Sequence, residues 1–153
     1  MSEQKLILPF MAPVYERLDK FAPLVLRLTA GLFLMPHGAQ KLFGMFGGYG
    51  LDATGQYFAE NLGFSNGYLA ALGAGGVEFF GGLLLALGLF TRVSAGAVAV
   101  LMLVAMSVHL PAGFFWSSGG YEYPAMWTIV ALYFWVKGGG ELSLDRLVVG
   151  KEF

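Results

Sequence analysis

Apolar and polar positions divide the chain into four apolar runs, at about residues 22–44, 68–90, 92–110 and 121–138, separated by polar or glycine-rich stretches. A bilayer crossing takes about 20 predominantly apolar residues, so the first three runs are long enough to span directly. The fourth is short and is expected to continue past Lys137, whose alkyl stem can lie along the apolar layer while its ammonium reaches water. A short turn at Thr91 and Arg92 makes the second run and the third an antiparallel hairpin. The expectation is all-α: an integral membrane four-helix bundle forming a single transmembrane domain over residues 1–153, with an N-terminal arm at 1–21 and a tail at 139–153.

The distribution of basic residues orients this bundle. Lys5, Arg17, Lys20, Arg92, Lys137, Arg146 and Lys151 fall at the end that carries the termini and the turn after the second helix, and Lys41 at the other. The positive-inside rule then places both termini in the cytoplasm, with Trp116 and Trp127 towards the outer interface and Trp135 towards the inner one. The arm carries an apolar patch broken by Pro9 and Pro13, which is a poor secretory signal; it is read as a retained segment at the membrane interface. The outer connection between the first two helices contains LDATGQYFAENLG, where Asp52 is placed to cap a short amphipathic helix, Leu51 to staple it and Gly63 to stop it.

Composition agrees with the pattern. Of 153 residues, 57% are hydrophobic and 12% charged, with a mean hydropathy of +0.67; a soluble domain carries about 25% charged residues. The net charge of −1 and the scattered Lys and Arg offer no basic stripe for nucleic acid. Without cysteine there is no disulfide, thiolate nucleophile, Cys-ligated iron–sulfur cluster or covalent haem attachment, and no metal-ligand set is read from the rest. Redox chemistry would have to come from a bound cofactor, a substrate or a partner.

Ionisable groups at membrane depth cost about 2.5–3.5 kcal/mol each on insertion scales and therefore usually face the bundle interior. Advancing about 100° per residue from Arg27 brings Gly31, Leu34, Gly38 and Lys41 onto one face of the first helix, with Ala30 and His37 on its flank. Glu78 is the ionisable residue of the second run, and its neighbours one turn away are Ala74, Gly75, Gly81 and Gly82, so a helix can approach it closely. At about 1.5 Å per residue from the inner end, Arg27 lies about 8 Å up, Glu78 about 18 Å, His37 about 23 Å, His109 about 26 Å and Lys41 about 29 Å. His37, Gln40, Lys41, Glu78, His109 and Glu122 are thus expected to form a polar pocket open to the outer face. Each has a plainer alternative. Glu78 can be the counter-ion of Arg27 or Lys41, Lys41 can snorkel outward, His109 can bond a loop carbonyl, and Glu122 can favour a helix N-terminus. Arg27 and Arg92 are read as structural charges.

The order RLTAGLFLMPHGAQKLFG, EFFGGLLLALGLFTR, a helix ending in His109, GGYEYPAMWT and GGGELSLDR resembles the DoxX family of small bacterial and archaeal four-helix membrane proteins. The resemblance covers about residues 27–146, with Arg27, Lys41, Glu78, Arg92 and Glu122 at the family's recurring charged positions. It implies a multi-pass protein of the cytoplasmic (inner) membrane, associated with oxidoreductases, the quinone pool, thiosulfate or sulfur oxidation, or the stress response to oxidants and reactive quinones.

The leading expectation is therefore a membrane subunit of a quinone-linked redox system, a quinone-dependent oxidoreductase subunit if it is an enzyme. His37, Gln40, Lys41 and His109 would bind the quinone oxygens; Phe33, Met106 and Trp116 would supply apolar walls. Glu78, His37 and Glu122 would exchange protons. The alternative is a non-catalytic membrane anchor, assembly factor or small-molecule carrier for a partner oxidoreductase, alone or as a homo-oligomer. Haem b between His37 and His109 would need both imidazoles facing one cavity and ranks last. Substrate, direction of electron flow, partner and oligomeric state are not encoded in any of these patterns.

Overall fold

The computed structural model describes residues 7–151, and among these there is no strand. The helices are α1 (Ala12–Asp19), α2 (Phe21–Phe43), α3 (Gly50–Leu62), α4 (Gly67–Gly76), α5 (Gly82–Leu87), α6 (Thr91–His109) and α7 (Glu122–Lys137). A π turn at Val77–Gly81 joins α4 to α5, making one rod, and α6 runs on through a 3-10 turn at Leu110–Ala112. Three rods, Phe21–Phe43, Gly67–Leu87 and Thr91–Ala112, are long and apolar enough to cross a membrane. Glycines with left-handed backbone close α2 at Gly44 (φ 67°) and α5 at Gly88 (φ 67°), a conformation that costs a residue with a Cβ.

The fourth long helix differs from expectation. It does not continue past Lys137, because Gly138 and Gly140 take positive φ and turn the chain back under the bundle. Its 16 residues make a rod of about 24 Å, shorter than the hydrocarbon layer of about 30 Å.

The face of α2 is the one that helical arithmetic picks out: Arg27, Ala30, Gly31, Leu34 and Gly38 are all buried. Small residues set how closely the rods meet. A Cβ on Gly31 would strike the carbonyl oxygen of Gly82, and one on Gly38 the backbone nitrogen of Phe79 with the carbonyl of Gly75 at 2.6 Å. α2 therefore rests backbone to backbone on the Gly67–Leu87 rod, which packs against α6, and α6 pairs closely with α7. The core between them is small-residue rich, with Ala30, Leu85, Ala95 and Phe134 in one cluster and Leu34, Val98, Ala99, Met102 and Ala131 in another.

The connection after α2 carries the short helix α3, whose Thr54 and Gly55 are buried while Gln56, Tyr57 and Glu60 are exposed. A Cβ on Gly55 would sit 2.9 Å from the Tyr68 Cα, so α3 folds tightly back along α4. Asp52 does not cap it. The helix begins earlier, at Gly50, with no side-chain cap bond; Asp52 falls in the first turn, where its charge suits the helix dipole. Gly63 stops it with φ 74°. At the other end α1 lies beside α2 with Phe10, Val14, Tyr15 and Leu18 uncovered.

Candidate functional site

The close seating of α2 on the Gly67–Leu87 rod brings two charges together. The stem of Lys41 lies over Gly75, where an added Cβ would be 3.2 Å from the lysine Cβ. From there the Lys41 ammonium donates to both Glu78 oxygens, at 2.7 and 2.9 Å, and to the His37 carbonyl at 3.4 Å. The Lys41 side chain is 24% exposed and that of Glu78 10%, so the pair is reachable from the α2–α3 end while being held off from bulk water. Glu78 leaves the rod from inside the π turn, a local widening of the helix that recurs at functional sites.

The other residues expected to line a pocket make different contacts. His37 is exposed on the flank of α2, one turn before Lys41, whose ammonium takes its carbonyl. Gln40 donates through Nε2 to the Phe46 carbonyl at 3.2 Å, fixing the turn after α2. His109 Nδ1 lies 2.7 Å from the Gly119 carbonyl, and a Glu122 oxygen accepts from the Trp116 amide at 3.2 Å, so both serve the loop between α6 and α7. Trp116 stacks on Tyr123 with ring centroids 5.4 Å apart and planes 9° apart; Phe33 is exposed on α2, and Met106 is half-buried on α6. Lys41 and Glu78 are thus brought together, with the His37 carbonyl on the same ammonium, whereas His109, Glu122 and Trp116 gather at the loop between α6 and α7.

Arg27 does not pair with Glu78. It is 1% exposed at the opposite end, where Nη1 donates to the carbonyls of Ala86 at 2.7 Å and Leu85 at 3.4 Å, and Nη2 to that of Leu142 at 3.2 Å. Its counter-charge is Asp145, a residue that sequence reasoning passed over, and one that is fully buried. The Asp145 carboxylate accepts from the Phe90 amide at 2.7 Å, the Thr91 amide at 2.9 Å and the Thr91 hydroxyl at 2.7 Å, closing the N-terminus of α6. A usable signal existed: at about 8 Å depth Arg27 stands well below Glu78 and needs an acid at its own end, and GGGELSLDR offers Asp145 there, directly after Leu144. Arg92 reaches sideways, its Nη1 donating to the Val136 carbonyl at 2.6 Å and the Trp135 carbonyl at 3.2 Å, the last carbonyls of α7. This is the role of a cation at a helix C-terminus.

The sequence profile of the DoxX family matches residues 22–110, more than half of the chain. An "Uncharacterized protein" of Haemophilus influenzae is 36% identical over 74 residues, 48% of this chain and 49% of that protein, so the chain spans about half the length of the relative it matches. No solved structure matches the chain.

Proposed function

The chain belongs to the DoxX family of membrane proteins, and from that premise we propose that it is a membrane subunit of a quinone-linked redox system, with its small-molecule site built around Lys41 and Glu78. In this reading four helices cross a bacterial or archaeal cytoplasmic membrane, both termini lie in the cytoplasm, and the Lys41–Glu78 end faces outward. The observation that carries the reading is the Lys41–Glu78 ion pair, partly open at one end of an apolar bundle, with the His37 ring one turn away. Reducing a quinone consumes two electrons and two protons. Lys41 supplies a donor for a carbonyl oxygen, and Glu78 and His37 are groups able to hold and pass a proton at that oxygen. His109 and Glu122, bound to the adjoining loop, would position its aromatic wall at Trp116. The chain has no cysteine and no evident redox centre of its own, so electrons would arrive from a partner oxidoreductase or from substrate beside the quinone.

The test is lipid extraction of the gently purified protein followed by mass spectrometry, with titration of a short-chain ubiquinone into wild type and Lys41→Ala. Retained quinone, and binding weakened by the substitution, are the expected results. Equal binding by both proteins, with no quinone retained, would sink the reading. A non-catalytic anchor or carrier is then favoured, a role suggested by the Arg27–Asp145 cluster, whose bonds are all of a holding kind. Copurification of a soluble oxidoreductase without quinone is its signature.

A further inference from the structure

We propose that residues 138–147 form a strap that closes the end of the bundle opposite Lys41 and Glu78, with Asp145 as its latch. The geometry is independent of any ligand. After α7 the chain turns at Gly138 and Gly140, and Ser143 and Asp145 become fully buried while Glu141 between them and the helix stays exposed. Such alternation marks a segment seated on a surface through one side.

The strap's outward bonds reach three rods. The Leu142 carbonyl accepts from Arg27 of α2. The Asp145 amide donates to the Gly88 carbonyl at 2.8 Å, at the end of the second rod. The Asp145 carboxylate takes the first amides of α6 and the Thr91 hydroxyl. The strap itself continues from α7. One short segment therefore ties together all four long helices at that end.

The receiving surface is shaped for it. Phe90 holds a left-handed backbone (φ 48°), unfavourable for a residue with a Cβ, and its amide is turned onto Asp145. Gly88 must be glycine for a second reason besides its φ of 67°, because a Cβ there would run into the Arg27 guanidinium. A Cβ on Gly139 would lie 2.7 Å from the Thr91 hydroxyl oxygen, so the strap lies flush on the start of α6. Releasing it would take the acceptor from the Phe90 and Thr91 amides, and the Leu142 carbonyl and the Asp145 charge from Arg27, which is why the seat and the latch stand or fall together.

The complete absence of cysteine permits a direct test. Single cysteines are placed in the full chain at Ser143, buried, and at Glu141, exposed on the same segment. The detergent-purified proteins are then treated with a hydrophilic maleimide. Glu141→Cys is expected to react promptly, and Ser143→Cys to be protected. Adding Asp145→Ala is expected to bring Ser143→Cys to the rate of Glu141→Cys. If Asp145→Ala fails to give a single gel-filtration peak, Asp145→Asn, which keeps the shape and loses the charge, replaces it and is expected to speed labelling of Ser143→Cys over the parent. Ser143→Cys reacting as fast as Glu141→Cys in the parent chain means that the strap is not seated. Protection that persists in a folded Asp145 variant means that Asp145 is not the latch.

Discussion

At the scale of single residues, two buried carboxylates do unlike work. Glu78 holds a cation that has a route to water, since Lys41 is 24% exposed, whereas Asp145 closes a helix start with its whole carboxylate. Glu78→Gln is accordingly expected to keep the fold and lower short-chain quinone binding. Glu78→Leu is expected to be destabilising by up to about 3–5 kcal/mol, the cost of leaving a buried partner charge uncompensated, less whatever Lys41 recovers by reaching water. Thermal unfolding and a ligand titration on the purified variants separate the two outcomes. Arg27→Ala removes bonds to three carbonyls and the charge facing Asp145, and is expected to lower the unfolding temperature more than Lys41→Ala does. If the order is reversed, the firmer structural charge is the one at the other end.

At the scale of elements, glycines decide which faces meet. Gly38→Ala is expected to cost about 1–3 kcal/mol by overpacking, because the new methyl meets backbone of the Gly67–Leu87 rod and not a side chain that can turn aside. Gly73 has nothing within 4 Å of an added Cβ; Gly73→Ala is expected to be neutral or to stabilise by about 0.5–1 kcal/mol through helix propensity. Melting curves of the two variants make the comparison. The long helices, their interior face on α2 and the stop at Gly63 were legible because apolar runs and glycine caps act locally. The start of α3 was not legible because a glycine-rich approach lets a helix begin without a side-chain cap, and the end of α7 falls short of a full span because Gly138 and Gly140 reverse the chain whatever length the bilayer asks for.

At the scale of the molecule, the buried charges fall into two separate groups. Lys41, Glu78 and His37 form one, from the middle of the second rod to the last turns of α2; Arg27, Asp145, Thr91 and Ser143 form the other, at the end that carries the turn after the second rod and the strap. Periodicity along a helix located the residues of the first group, since they sit on rods whose faces can be counted. It placed Arg27 on the buried face of α2 but could not bring Asp145 to it, because Asp145 reaches its partners only after the chain reverses beyond α7. The expected orientation follows the basic residues. A reporter active only outside the cytoplasm should give signal when fused after Gly63 and none when fused after Lys151, and the opposite pattern would invert the assignment of both ends.

The π turn at Val77–Gly81 has a consequence for insertions and deletions. Its i→i+5 bonding takes in one residue more per turn than an α-helix does, so the rod already contains what amounts to a tolerated single-residue insertion beside Glu78. Deleting the exposed Phe80 would let the rod close into a regular α-helix, with the glycine faces on both sides still meeting α2. Deleting Leu84, within the regular turns of α5, would rotate everything after it by about 100° and carry Gly88 off Arg27. The first deletion is therefore expected to give folded protein that has lost the Lys41–Glu78 placement, and the second to give little folded protein, as gel filtration and quinone titration would report. A chain that survived both equally would mean that the extra residue has no bearing on where the carboxylate stands.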